Sequence, residues 1–149
     1  MINSYLVFHL TGLLFGVKLL GAIEILPWRS SRPVPLSYIH VEGLIDYRGT
    51  IYPVFNLSQR LGLGRQEPIG FIASEKRQPT VAQSIILLEE RNMHFGIIVD
   101  GVARMAMLEE AVTAPEKVSN IDARFVKGVI FEDDQEIMIL DFERLFNAS

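Results

Sequence analysis

Short apolar runs, each about the length of one strand, alternate with turn residues along most of this chain. In the first part of the chain, the runs and the residues between them are Tyr5–Leu10, Thr11-Gly12, Leu13–Leu19, Gly21 and Ala22–Leu26. Runs of this length that are rich in branched and aromatic side chains predict β-strands, and the glycines predict breaks between them. The chain therefore begins with a predicted hairpin and a third strand. Gly16, within the second run, indicates a close backbone approach or a bulge.

Segment 42–57 predicts a second hairpin followed by a short helix. Apolar stretches flank Arg48-Gly49, and glycine at this place supplies the positive φ of a tight turn. Asn56 follows the second strand and is a predicted helix cap, with Gln59 three residues later as in a capping box. The predicted helix, 57–61, ends at Gly62 because glycine readily adopts the left-handed conformation that terminates helices.

The second half of the chain repeats the first. Phe15-Gly16-Val17 recurs as Phe95-Gly96-Ile97, and segment 54–57 recurs, at a slightly larger offset, as 139–142. The predicted elements of the second half are strands at 84–88, 93–99, 102–107, 125–131 and 137–140 and a helical turn at 142–146 that Asp141 caps. The sequence thus predicts two copies of one unit, about 5–64 and 84–146, joined by a linker at about 65–81. A helical turn at 36–40 and a polar loop at 108–121 complete the prediction.

Many short strands and few helices predict an all-β fold built from two small barrels or sheets. Each half has about 65 residues and would be only marginally stable alone, because a chain of that size buries too little surface. We therefore expect the apolar faces of the two copies to share one core within a single domain, 1–149.

The composition excludes several classes of protein. The 149 residues carry a net charge of −4 and no basic stripe, which argues against a nucleic-acid partner. The absence of cysteine excludes disulfides, thiolate metal sites and a cysteine nucleophile, and it suits a reducing cytoplasm. Residues 1–26 are apolar, but Lys18 and Glu24 interrupt any membrane span, and the basic start of a signal peptide is missing. We predict a cytoplasmic protein without direct membrane insertion.

No residue pattern in the sequence predicts catalysis, a metal site or a cofactor. His9, His40 and His94 lie on separate predicted elements without the spacing of metal ligands. The acidic segment 132–134 and Asp100-Gly101 are typical of solvated turns. The sequence contains no phosphate-binding glycine loop, nucleophile elbow or zinc signature.

Arg48 has two interpretations at the tip of the predicted hairpin. It is either an exposed turn residue or an anchor whose planar guanidinium pairs with Glu24 or with a partner protein. Spacing alone does not separate the two. Because small barrels leave edge strands and apolar patches, the sequence favours a protein-interaction module over an enzyme.

Several ordered segments resemble the CheW-like domain family over about residues 5–146. The segments that carry the resemblance are Tyr5–Phe8, Phe15–Val17, Ile23–Ile25, Gly43–Ile45, Arg48-Gly49, Tyr52–Val54, Asn56-Leu57, Phe95–Val102, Gly128-Val129 and Ile139–Phe142. Each segment is short, but their order and spacing together are specific, and the chain is most like the stand-alone coupling members of the family. At the hairpin tip, where the family usually has Asn-Leu-Arg-Gly, this chain has Asp46-Tyr47-Arg48-Gly49.

The resemblance implies two five-stranded SH3-like β-barrels around a shared hydrophobic core, with short helices after the strands at 50–55 and 137–140. It implies a non-catalytic adaptor that couples the cytoplasmic tip of a methyl-accepting chemoreceptor to the regulatory domain of a CheA-type histidine kinase. A barrel end meets the kinase, and the groove between the barrels meets the receptor. The resemblance places the partner-binding residues at Ala22, Ile23, Glu24, Gly43, Arg48 and Gly49. The alternative is a small-ligand sensor or an enzyme that uses the inter-barrel cleft with Glu24, His40 or Asp100.

Overall fold

The computed structural model describes residues 2–32, 41–63, 83–109, 112–113, 117–118 and 121–147. Within these residues the chain forms strands and two short helices, in the order β1 Ile2–Leu10, β2 Leu13–Lys18, β3 Ala22–Pro27, β4 Val41–Tyr47, β5 Thr50–Phe55, α1 Leu57–Arg60, β6 Ser84–Glu90, β7 Met93–Val99, β8 Gly101–Glu109, β9 Val112–Thr113, β10 Lys117–Val118, β11 Ile121–Asp122, β12 Val126–Glu132, β13 Gln135–Leu140 and α2 Phe142–Asn147. Single 3₁₀ turns lie at Leu19–Gly21 and Ala123–Phe125. The predicted linker 65–81 and the predicted helical turn 36–40 lie outside the described residues.

Four hairpins turn through two residues that both have positive φ. The turn residues are Thr11-Gly12 (φ 46° and 83°), Arg48-Gly49 (53° and 85°), Arg91-Asn92 (52° and 67°) and Asp133-Asp134 (50° and 65°). Positive φ at both central positions is the geometry of a type I′ turn, whose twist matches that of the flanking strands. The predicted turns at Arg48-Gly49 and at the acidic tip are therefore confirmed.

The long strands form two sheets that each combine strands of both repeats. One sheet has the order β8-β1-β2-β13-β12-β9, and the other has the order β3-β6-β7-β5-β4. We call them the first and the second barrel. The first contains five long strands and the two-residue β9, so the predicted fold of two five-stranded barrels is confirmed. The first barrel combines the β1–β2 hairpin of the first repeat with β8, β12 and β13 of the second repeat. The second barrel combines the β6–β7 hairpin of the second repeat with β3, β4 and β5 of the first repeat.

The registers in the two barrels match residue for residue. Gly16 of β2 lies beside Ile139 of β13, and Gly96 of β7 lies beside Val54 of β5, in parallel pairings. The partners in the first barrel are the repeat counterparts of those in the second. A Cβ added to Gly16 would lie 3.0 Å from the Ile139 side chain, and one added to Gly96 would lie 3.3 Å from Ile85. The space beside Gly16 is thus filled by side chains such as that of Ile139, and not by the close backbone approach or the bulge that the sequence indicated.

Buried side chains separate into a shared core and two barrel interiors. The shared core is the largest cluster and includes Phe8, Phe15, Phe95 and Phe142, which come from both repeats. Along β1, Leu6 and Phe8 face this core, whereas Val7 faces the interior of the first barrel. Such a strand is buried on both faces, which explains why its sequence is a continuous apolar run rather than an alternating one.

The two short helices begin at the predicted caps and join the repeats. The Gln59 backbone N–H donates to Asn56 Oδ1 at 3.0 Å, and the Arg144 N–H donates to Asp141 Oδ1 at 3.1 Å. Arg60 of α1 then donates through Nε to the Leu145 carbonyl oxygen of α2 at 2.6 Å. This hydrogen bond links the last residue of α1 directly to α2.

The prediction of a polar loop at 108–121 was wrong. Leu108 is buried in the interior of the first barrel as part of β8, and Ile121 is buried in the shared core. β9, at 112–113, pairs with β12. At Leu108-Glu109 the error has a simple cause: β8 lies at an edge of the sheet order, and an edge strand exposes polar side chains that resemble a loop.

Candidate functional site

The predicted partner-binding residues lie on the two edge strands of the second barrel. Ala22, Ile23 and Glu24 belong to β3, and Gly43 belongs to β4, whose hairpin tip is Arg48-Gly49. β3 and β4 are the first and last strands in the sheet order β3-β6-β7-β5-β4. These residues can form one surface only if contacts between β3 and β4 close the barrel.

Two contacts close the second barrel between these edges. Arg32 and Leu44 exchange backbone hydrogen bonds of 2.9 Å in both directions, which connects the chain after β3 to β4. Near the hairpin tip, Tyr47 Oη donates a hydrogen bond to Glu24 Oε1 at 3.0 Å. The structure thus brings Glu24 to the β4–β5 tip, and the predicted residues on β3 and at the tip share one side of the barrel.

Glu24 is exposed, and a bulge precedes it on β3. The β3–β6 register shifts between Ala22 and Glu24, so that Glu24 pairs with Leu87 of β6. The hydrogen bond to the Glu24 carboxylate raises the pKa of Tyr47 above its usual value of 10.0, because it stabilises the protonated phenol. The Tyr47 phenol therefore keeps its proton at neutral pH and acts as the donor of this hydrogen bond.

Arg48 is exposed at the tip and does not pair with Glu24. Its guanidinium carbon lies 5.3 Å from the centroid of the Tyr47 ring, a cation–π distance. Within the part of the chain that the structure describes, Arg48 forms no ion pair. A hydrogen bond within the hairpin stabilises the tip, since the Gly49 N–H donates to Asp46 Oδ1 at 3.1 Å. The pairing of Arg48 with Glu24 was wrong, because Tyr47 binds Glu24 instead. An exposed turn residue and an anchor for a partner protein stay open as interpretations of Arg48.

Gly43 is buried, unlike the other predicted residues. A Cβ at Gly43 would lie 2.1 Å from Ser31 Oγ and 2.6 Å from the Arg32 carbonyl oxygen. The chain after β3 crosses β4 at this point, so only glycine leaves room for it. Gly43 therefore holds the edge of the barrel closed rather than presenting a side chain.

The first barrel closes at the repeat counterparts of the same two positions. Arg104 of β8 and Glu132 of β12 form an ion pair. Arg104 is the repeat counterpart of Glu24, and Glu132 is the repeat counterpart of Tyr47. One barrel thus closes with an ion pair and the other with a carboxylate–phenol hydrogen bond. In the second barrel the basic residue is Arg48, which follows the closing residue Tyr47 in sequence and is therefore available to a partner.

Exposed apolar side chains also lie beside β3 of the second barrel and on β8 of the first barrel, and sequence reasoning missed those on β8. Leu20 is 95% exposed and Ile23 is 42% exposed beside β3, and Met105 and Met107 are exposed on β8. Ile25 of β3 packs partly buried against the shared core, and Met105 is its counterpart in the second repeat. The repeat offset would therefore have predicted a partly buried Met105, and could not have identified the exposed side chain.

The alternative of a ligand-binding or catalytic cleft gains no support from the arrangement of its residues. Asp100 accepts hydrogen bonds from the Thr11 N–H at 2.7 Å and from Gln83 Nε2 at 3.3 Å, and so joins the β1–β2 tip to the chain around β7. His40 lies outside the described residues. A groove of about 450 Å³ is lined by 29–32 and 44–46, and contains neither Glu24 nor Asp100. Among the residues described, no cluster of three His, Asp or Glu side chains could hold a metal ion.

Comparison with known proteins assigns this architecture. The family model described as the CheW-like domain matches residues 4–149. The chain belongs to the CheW-like domain family. A relative from Treponema pallidum named chemotaxis protein CheW is 27% identical over 143 residues, which cover 95% of this chain and 80% of the relative. The chemotaxis protein CheW of Thermotoga maritima is 30% identical over 113 residues, covering 76% of this chain and 67% of that protein.

A solved structure supports the same assignment. The scaffolding protein TtCheW from Thermoanaerobacter tengcongensis matches with a TM-score of 0.80 and 29% identity, over all of this chain and 90% of that one. The predicted family and the predicted role as a chemotaxis scaffold or adaptor are therefore confirmed. None of the helices in the described ranges is long and apolar enough to cross a bilayer.

Proposed function

We propose that this chain is a cytoplasmic, non-catalytic adaptor that couples the tip of a methyl-accepting chemoreceptor to the regulatory domain of a CheA-type histidine kinase. The observation that carries the proposal is the closure of the second barrel by Glu24 and Tyr47, which leaves Arg48 exposed at the tip without an ion pair among the described residues. An arginine in this situation suits a carboxylate or carbonyl on a partner, since its planar fork makes paired hydrogen bonds.

The partner-binding surface consists of residues with different roles. Ala22, Ile23 and Glu24 present the β3 side, and Arg48-Gly49 presents the tip. Exposed apolar residues such as Ile23 supply the contact area, and Arg48 supplies the orientation, as is usual where apolar anchors meet a polar rim. Gly43 contributes by keeping the crossing of the chain over β4 compact.

The second partner requires a second surface, because an adaptor must hold both proteins at once. The two barrels share one continuous core, to which both Phe8 and Phe142 belong, so the adaptor can hold a partner on each barrel as one body. Binding to such a body fixes the distance between receptor and kinase. A change in receptor conformation then alters kinase activity only to the extent that the receptor-bound adaptor binds the active and the inactive state of the kinase with different free energies.

The experiment that tests the site compares Arg48→Ala with Arg91→Ala. Arg91 occupies the same position of a two-residue turn, with φ 52° against 53° for Arg48, and its ion pair with Glu143 is exposed. Both variants therefore remove one exposed arginine from the same backbone conformation, and exposed ion pairs add little stability. We expect both to keep the thermal midpoint of the wild-type chain within a few degrees.

Pull-down with a receptor-tip fragment and with a kinase regulatory domain is the readout. We expect Arg48→Ala to weaken assembly by roughly tenfold or more, which corresponds to the loss of one charged hydrogen-bonding anchor, and Arg91→Ala to assemble normally. Normal assembly of a stable Arg48→Ala variant would remove Arg48 from the site. Equal losses in both variants would show that net charge, and not position, controls binding.

A further inference from the structure

Tyr47 contacts both charged side chains of the predicted partner-binding set, Glu24 and Arg48. Its hydroxyl donates a hydrogen bond to Glu24 Oε1 at 3.0 Å, and the centroid of its ring lies 5.3 Å from the guanidinium carbon of Arg48. Opposite charges that are both within reach of one side chain attract each other. The structure nevertheless keeps them on different parts of Tyr47, and no ion pair joins Glu24 to Arg48.

The first barrel shows the same position without an aromatic residue. Glu132, the repeat counterpart of Tyr47, forms an ion pair with Arg104, the counterpart of Glu24. The two charges in that barrel therefore neutralise each other. In the second barrel the phenol hydroxyl binds only Glu24 Oε1, so that among the described residues Glu24 Oε2 accepts no hydrogen bond. A tyrosine at the closing position thus leaves an acceptor unused, where a charged residue would have formed an ion pair.

The second barrel holds the Tyr47 ring in place. The ring packs partly buried against the cluster that includes Ile45, Val54 and Ile85. It also meets the buried ring of Tyr52, with the two centroids 6.4 Å apart and an interplanar angle of 72°. Aromatic pairs prefer such an edge-to-face arrangement. A ring supported in this way can hold an exposed arginine in one place, because a cation is attracted to the face of the ring.

We propose that Tyr47 is a positioning residue, which prevents Glu24 and Arg48 from pairing and so presents an acceptor and a donor separately to the receptor tip. The inference rests on the proposed function, in which Glu24 and Arg48 contact that partner. The matching partner surface carries a carboxylate for Arg48 and, beside it, an N–H or O–H donor for Glu24. Without Tyr47, an internal ion pair competes with the partner for Arg48.

The Tyr47→Leu variant tests the separation of charges in the free chain, since leucine removes both the hydroxyl and the ring. Two-dimensional ¹H–¹⁵N spectra of the full chain follow the Arg48 Nε–H group before and after the further change Glu24→Gln. We expect Glu24→Gln to shift this signal strongly in the Tyr47→Leu background, where the two side chains pair, and weakly in the wild-type background. Equal shifts in the two backgrounds would overturn the proposal, whether or not any partner binds.

Thermal unfolding establishes that each variant is folded before its spectrum is interpreted. If Tyr47→Leu does not fold, the same comparison is made with Tyr47→Phe, which keeps the ring and its packing but releases Glu24. We expect a smaller shift of the Arg48 signal with Tyr47→Phe than with Tyr47→Leu, but one that still exceeds the shift in the wild-type background. Equality of the Tyr47→Phe and wild-type backgrounds would overturn the role of the hydroxyl, and with it the proposal.

Binding of the receptor-tip fragment tests the consequence through a double-mutant cycle. We expect Tyr47→Leu to weaken binding by about two- to fivefold, the range that an exposed ion pair competing for Arg48 can produce. Glu24→Gln should then recover binding in the Tyr47→Leu background, whereas in the wild-type background it should weaken binding or leave it unchanged. A merely structural role of Tyr47 would not produce this change of sign.

Glu132→Gln is the matched control, because it removes the closing ion pair of the first barrel and leaves Tyr47 intact. We expect this variant to bind the receptor-tip fragment normally. The same effect of Glu24→Gln in both backgrounds, or a loss with Glu132→Gln equal to that with Tyr47→Leu, would refute the positioning role. A wild-type chain that does not bind the fragment would instead contradict the proposed function, and the spectra of the free chain would still decide whether Tyr47 separates the two charges.

Discussion

Substitution of Gly43 by alanine tests how the second barrel is closed. The added Cβ would lie 2.1 Å from Ser31 Oγ, 2.7 Å from Ser31 Cβ and 2.6 Å from the Arg32 carbonyl oxygen. A serine side chain can rotate, but a backbone oxygen at that distance must move. Because Arg32 and Leu44 exchange two backbone hydrogen bonds of 2.9 Å, the substitution forces open the bridge that connects the two edges.

The expected loss of stability follows from these contacts. Overpacking costs about 1–3 kcal/mol, and each of the two strained hydrogen bonds contributes about 0.5–1.5 kcal/mol. Alanine recovers part of this, about 0.4–1 kcal/mol, by restricting the unfolded chain. We expect the free energy of unfolding to fall by about 1–6 kcal/mol, or roughly 2–20 °C in Tm for a chain of this size.

Urea and thermal unfolding of three further variants separate the causes. Ser31→Gly in the Gly43→Ala background removes two of the three close contacts and leaves the Arg32 oxygen, so we expect partial recovery. Gly49→Ala has open space around its Cβ but a φ of +85°, so it measures the backbone cost alone, about 1–2 kcal/mol. Ser31→Gly alone is the control for additivity. A Gly43→Ala chain with wild-type stability, or one that Ser31→Gly does not improve, would refute this account of closure.

Two more predictions concern the tip and the helices. The hydrogen bond to Glu24 raises the pKa of Tyr47 in the folded chain, so its contribution to stability is present below about pH 10 and is lost as pH rises through the folded-state pKa. Urea midpoints of the native chain should therefore fall more steeply above pH 10 than those of Tyr47→Phe; equal slopes would contradict the pair. Arg60→Ala removes the hydrogen bond to the Leu145 carbonyl oxygen and should lower the free energy of unfolding by about 1.5–3 kcal/mol. Arg60→Lys should recover only part of that loss, because lysine lacks the planar fork, and an Arg60→Ala chain as stable as the wild type would contradict the role of this contact.

Local structure could be predicted because it depends on residues close in sequence. The caps at Asn56 and Asp141 and the turn at Arg48-Gly49 require only a side-chain oxygen or a permissive backbone at a fixed offset. The continuous apolar runs indicated strands, and their burial on both faces explains why alternation is weak. Such signals need no knowledge of the partner strand.

The exchange of hairpins between the repeats could not be predicted in the same way. Gly16 lies beside Ile139 in the structure, but Val54 is the repeat counterpart of Ile139 and offers the same kind of apolar side chain. Both pairings satisfy the hydrophobic pattern, so the pattern does not choose between them. The choice depends on the path of the connections and on packing of the shared core.

The site was predicted in part for a related reason. Glu24 and the hairpin tip were expected at one surface, and the contact between Glu24 and Tyr47 brings them together. The pairing of Arg48 with Glu24 was wrong, because charge alone was considered and the reach of the Tyr47 hydroxyl was not. The partner-binding roles of Ala22, Ile23, Glu24, Gly43, Arg48 and Gly49 remain predictions.

Formation of a ternary complex tests the central claim most directly. The full chain, a receptor-tip fragment and a CheA-type regulatory domain are mixed in pairs and together, and their sizes are measured by sedimentation velocity. The adaptor account predicts that each partner binds the chain separately and that all three sediment as one complex in which neither partner displaces the other. Competition between the two partners for the chain, or binding of neither, would contradict it.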